Sequence, residues 1–93
     1  MRFAWDEDKN RTNYSRHRVW LEEAQTIWAD ESAVEFFDPD HSGDEDRYIR
    51  IGYSSISRLL LVVFCERDEG ETMRLISARK ATKNERSQYE EGV

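Results

Sequence analysis

With a single cysteine in 93 residues, the chain has no internal disulfide and no cysteine-built zinc site. That thiol, Cys65, sits in the apolar run LLLVVFC and reads as core rather than as a nucleophile. No stretch of eighteen apolar residues and no signal peptide is found, so the expected setting is cytoplasmic, with no membrane partner. One proline and four glycines leave no room for a low-complexity tail or linker, and the length fits one small domain over residues 1–93. There is no glycine-rich phosphate loop, nucleophile elbow or Cys/His zinc pattern, and hence no expected cofactor.

Lysine and arginine are absent from residues 21–46, which carry ten acidic side chains. The flanking stretches are mildly basic: residues 1–20 hold five cations and three acids, residues 47–93 nine and seven. The net charge of −6 speaks against coating nucleic acid by bulk electrostatics. Its segregation suits a basic face for RNA and an acidic region for a basic protein, or else a solvated acidic helix and loop. The densest acid lies in DPDHSGDED, residues 38–46, where Asp38, Asp40, Ser42, Gly43, Asp44 and Asp46 echo the spacing of a calcium loop. The bidentate glutamate that such a loop needs is replaced by Ile49, and the flanks alternate like strands rather than helices. A metal-dependent nuclease built on Asp38, Asp40, Asp44 and His41 is the remaining metal reading.

Hydrophobic periodicity predicts the order β-α-α-β-β-β-β-α, an α+β domain with an antiparallel sheet packed by helices. RFAW opens as a strand and Asp6 caps a polar helix to about His17. Residues 20–29 place Trp20, Leu21, Ala24, Ile27 and Trp28 at helical spacing, a predicted core stripe. AVEFF, RYIRIGYS, RLLLVVFCER and TMRLISAR are the later strands, the third long and apolar enough to be central. Thr82 and Glu85 form a capping box opening a last helix to about Glu91.

Cations fixed within these elements are the candidates for chemistry. Arg74 interrupts an apolar strand, where it needs either a structural acid such as Asp46 or Glu66 or a phosphate. Arg79 and Lys80 close that strand, and strict alternation brings Arg74 and Arg79 together only if the chain bends near Ala78. Lys9, Asn13 and His17 recur every four residues along one face of the first helix, offering a cation, an amide and an imidazole. His17 also suits a bland role at the helix C-terminus. His41 is a loop histidine or a general acid or base, and Arg47 follows Glu45 and Asp46 as an ion-pair latch or an RNA contact.

Taken together, FAWDEDKNRTNYSRHRV, LEEA, DPDHSGDEDRYIRIG, LLLVVF and RLISARKATKNERSQYE resemble the BrnT family of bacterial toxins over nearly the whole chain. The matching positions include Trp5, Asp6, Lys9, Asn13 and His17, then Asp38, His41, Ser42, Glu45, Asp46 and Arg47, then Arg74, Ile76 to Arg79, Ala81, Glu85 and Tyr89. Two positions depart: Arg18 stands where the family usually has glycine, and Leu21 where it has phenylalanine. The resemblance implies a RelE-like fold and a metal-independent ribonuclease that halts translation. It also implies a DNA-binding BrnA-like antitoxin, through which alone operator DNA is contacted. On that footing Arg74 and Arg79 are the expected charge stabilisers, Lys9 a phosphate contact, and His17 or His41 the proton carrier, with Tyr89 a further catalytic candidate. Asn13, Arg47 and Lys80 join Lys9 as expected RNA contacts. An inactive toxin-like module that binds an antitoxin and aids operator repression is the competing reading.

Overall fold

The computed structural model describes residues 1–92 apart from Ser42 and Asp44, and the backbone but not the side chain of His41. Its elements are β1 (Arg2–Ala4), α1 (Glu7–His17), α2 (Leu21–Ala24), β2 (Val34–Asp38), β3 (Arg47–Tyr53), β4 (Leu59–Arg67), β5 (Thr72–Lys80) and α3 (Lys83–Glu91). Short 3₁₀ turns follow α2, β2 and β4. The strands form one sheet in the order β1-β5-β4-β3-β2, with the apolar β4 in the centre. The sheet is mixed rather than antiparallel: β2 to β5 make an antiparallel meander, but β1 pairs parallel to β5. That parallel edge follows from the crossover of nearly the whole chain between the two strands. Among the described residues no helix is long and apolar enough to cross a membrane.

Local chemistry accounts for the helix ends. The Asp6 carboxylate accepts from the backbone N–H groups of Asp8 and Lys9, which starts α1 and holds its own acid below the usual aspartate range. The helix stops at Arg18, whose φ of 58° is left-handed and whose N–H donates to the Tyr14 carbonyl. A side chain in that region is strained where glycine is not. Arg18→Gly is therefore expected to raise stability by ~0.5–1 kcal/mol, read as a small upward shift in Tm. The predicted continuous helix over residues 20–29 is instead one turn of α-helix continued by a 3₁₀ segment, Gln25–Ala29. Leu21, Ala24 and Ile27 are buried, but Trp20 leaves the core stripe: it is 41% exposed and stacks on Tyr14 at 4.1 Å. The capping box opens α3, where Glu85 N–H donates to Thr82 Oγ1 and Thr82 N–H to the Glu85 carboxylate.

The sheet has two unequal faces. On one, Val19, Leu21, Ala24 and Ile27 pack against Leu60, Val62, Phe64, Met73, Leu75 and Ala78. On the other, Val34, Ile51, Leu59 and Leu61 are covered in part by Ala81 and Tyr89 of the α3 region. The β3–β4 turn is tied to α2 by Arg58, which donates to both oxygens of Glu23. That guanidinium holds the Glu23 carboxyl below its usual 4.5. Its stabilising effect is complete above that value and is lost as pH falls through the lowered folded value. Glu23→Gln is thus expected to flatten the loss of stability on the acid side, measured as Tm against pH.

Candidate functional site

Strict alternation along β5 would put Arg74 and Ala78 on one face and Arg79 on the other. The register contradicts this: Phe64 faces Leu75 while Val63 faces Ser77, so Ile76 is an extra residue on β5. This bulge re-aims everything after it. Ala78 joins Met73 and Leu75 in the first core, and Arg79, opposite Leu61, turns to the α3 face, where Arg74 also lies opposite Cys65. Their β4 partners are four residues apart, ~13 Å at a strand's rise, so the two arginines flank a span of sheet rather than touch. The bend on which a common face for Arg74 and Arg79 depended thus lies at Ile76, and it sets both on one face with Arg47 beside Arg74, since Cys65 pairs with both Arg47 and Arg74.

Where β5 bends, a cleft of about 410 Å³ opens between the end of α1, β3 to β5 and the start of α3. His17, Asp38, Arg47, Ser77, Arg79 and Glu85 supply its polar lining over a floor of Ile49, Leu61 and Val63. A smaller groove of about 230 Å³ continues along α1, past Lys9, Thr12 and Arg16, and shares His17 and Ser77 with the first. Lys9 and His17 therefore do lie along one accessible face, as their spacing requires. The Arg79 guanidinium donates to both oxygens of Glu85, each at 2.8 Å, which fixes its plane. The same pair holds the Glu85 carboxyl below its usual range. The side chain of Arg74, a half-buried residue, makes no hydrogen bond or ion pair among the described residues, so neither Asp46 nor Glu66 pairs with it; it feels Asp6 and Glu45 at longer range.

Of three further expected site residues, Asn13 lines the groove with its amide already engaged, and Tyr89 and Lys80 lie outside the cleft and groove. Asn13 is buried at the groove's back wall, with its amide spent on backbone: it donates to the Val19 and Ala78 carbonyls and accepts from the Ala78 N–H. It holds α1 to the open edge of β5 beyond β1 and has no donor left for RNA. The Tyr89 hydroxyl donates to Asp30 at 2.7 Å, and burial together with that carboxylate pushes its pKa up to about 12, which keeps it a proton-holding anchor for α3. Lys80 pairs with Leu60 on the opposite face and senses Glu23, away from the cleft. The side chain of His41 lies outside the described residues, as do Ser42 and Asp44 of the acidic loop. Among the described residues, no three His, Cys, Asp or Glu side chains gather where they could hold a metal ion.

Four more residues complete the cleft and its groove: Ser77 and Arg16, which carried no expectation of their own, Asp38, read above only as an acid of the loop, and Glu85, read only as a helix cap. The signal for Ser77 was present, a small polar residue breaking the alternation between Ile76 and Ala78. Glu85 was readable as a cap but not as the partner of Arg79.

A family model described as ribonuclease toxin, BrnT, of type II toxin-antitoxin system matches residues 5–85. Among solved structures, the 1.1 Å crystal structure of the Brucella abortus ribonuclease toxin BrnT is similar to this chain. The two share 25% identity and a TM-score of 0.67, over 89% of this chain and 99% of that one. No curated protein matches the sequence.

Proposed function

Since the chain belongs to the BrnT family of ribonuclease toxins of type II toxin-antitoxin systems, we propose that the cleft between α1, β5 and α3 is its RNA-cleaving site. The observation that carries this reading is the gathering of His17, Arg47 and Arg79 along one cleft, continued by a groove that adds Lys9 and Arg16. These are the groups that cleavage at an RNA phosphate requires. The ribose 2′-oxygen attacks the adjacent phosphorus, the bond from phosphorus to the 5′-oxygen breaks, and that oxygen takes a proton. His17 is assigned the proton transfer at the 2′-hydroxyl. Arg79, with Arg74 further along the same face, stabilises the charge that builds on the phosphoryl oxygens. Lys9 and Arg47 hold flanking phosphates.

In this RelE-like scheme the 2′-hydroxyl is the nucleophile and no metal takes part. The consequence in the cell is RNA loss, arrest of translation and growth, and neutralisation by a BrnA-like antitoxin that reaches operator DNA. One observation favours the non-catalytic alternative: Glu85 already neutralises Arg79. Induced expression in bacteria separates the two. Growth arrest with fragmented RNA, absent from an Arg74→Ala, Arg79→Ala variant at equal soluble level, is the expected result. Normal growth and intact RNA with both proteins would favour the inactive module.

A further inference from the structure

A second cleft, about 690 Å³, lies on the other flank of α1, where Glu7 and Arg11 face Trp20, Glu22 and Ile56. Trp20 and Ile56 are 41% and 63% exposed, an uncommon pair to leave at the rim of one concavity. Both are held in place. Trp20 lies flat on Tyr14, with ring planes 13° apart. Ile56 rides on the β3–β4 turn, which is pinned to the α2 region by Ser54 Oγ–H donating to Glu23 and the Ser55 N–H donating to Thr26 Oγ1.

The charges around this apolar pair are unbalanced. Glu23 is paired with Arg58, and Arg11 with Asp8, so these four cancel. Among the described residues, Glu7 accepts from the Trp5 indole N–H alone and Glu22 from the Asn10 amide alone, both at 2.7 Å. Neutral donors leave both carboxylate charges in place. A rigid apolar cleft with two uncompensated acids on its rim matches an amphipathic helix that carries cations beside its apolar face. Because the walls are already ordered, little is lost on binding.

We infer that this cleft docks a basic amphipathic helix of a protein partner, with apolar anchors on Trp20 and Ile56 and Lys or Arg opposite Glu7 and Glu22. That the partner is the antitoxin rests on the toxin reading above; the cleft and its chemistry do not. RNA cleavage is not measured in the test, so failure of one leaves the other standing. The probe is a synthetic amphipathic helix with a leucine face flanked by lysines, compared with the same peptide flanked by glutamates. NMR signals of the Trp20 indole N–H and the Ile56 methyls report the site. The lysine peptide is expected to shift those signals, with Ile56→Ser weakening it about tenfold and a Glu7→Gln, Glu22→Gln variant about fivefold. Equal affinity for the two peptides, shifts confined to other surfaces, or no binding would each overturn the inference.

Discussion

Arg79→Ala is expected to slow RNA cleavage by about 10²- to 10³-fold, the loss seen when one preorganised charge stabiliser is removed from an active site. Its folding cost should stay within about 1 kcal/mol, because the ion pair with Glu85 is partly solvated and the carboxylate keeps its Thr82 N–H donor. Glu85→Gln tests how the arginine works. Glutamine serves equally at the third position of a capping box, so α3 keeps its start. The amide retains at most one of the two bonds that fix the guanidinium plane. Phosphate-binding charge is supplied nearby by Arg47 and Lys9, whereas the plane of Arg79 is set by the paired bonds to Glu85, with one longer contact to the Lys80 carbonyl at 3.3 Å. Geometry is therefore the scarcer quantity, and kcat should fall about tenfold with no rise in KM, since a carboxylate that repels RNA is gone. A variant that raised KM and spared kcat would show that Arg79 serves binding alone.

Asn13→Ala is the substitution expected to cost most in stability. The side chain is 5% exposed and bridges three backbone groups, at 2.8 Å to the Val19 carbonyl, 2.9 Å to the Ala78 carbonyl and 3.0 Å from the Ala78 N–H. Alanine leaves these without partners where water enters poorly, at about 1–3 kcal/mol each. Partial relaxation brings the expected total to about 3–5 kcal/mol, a large share of a small domain's stability. Tm should drop by roughly 15–25 °C. Aspartate is no remedy, because it keeps the acceptor but sets a carboxylate against two carbonyls. A loss below about 1 kcal/mol would mean that α1 is held to β5 by its other contacts.

Asn13 also shows where reading the sequence stops. Strand positions, the cap at Asp6, the box at Thr82 and the central place of β4 follow from neighbours in the chain, and all are visible in local pattern. Helix α1, EDKNRTNYSRH, reads as wholly polar, and nothing local says that Asn10 and Asn13 are the buried side. They bury by hydrogen bonding to distant backbone, Asn10 to the Leu21 N–H and Asn13 to Ala78, which no periodicity encodes. The β5 bulge is likewise tertiary: one residue out of step decides whether Arg79 faces α2 or α3. Trp20 belongs to the helical stripe in spacing, yet the helix starts only after it, so its ring rests on Tyr14 instead of the core. The candidate side chains were legible as types. Their company was not: Glu85 on Arg79, Asp30 on Tyr89, Glu23 near Lys80.

The central claim is that this cleft cuts RNA by attack of the 2′-oxygen. The most direct measurement is the end chemistry of fragments that the purified protein makes from RNA in the presence of a chelator. Fragments with 5′-hydroxyl and 2′,3′-cyclic phosphate ends, formed by the wild type and not by Arg79→Ala, are the predicted result. No cleavage at all, or cleavage that needs a divalent ion and leaves 5′-phosphates, would contradict it.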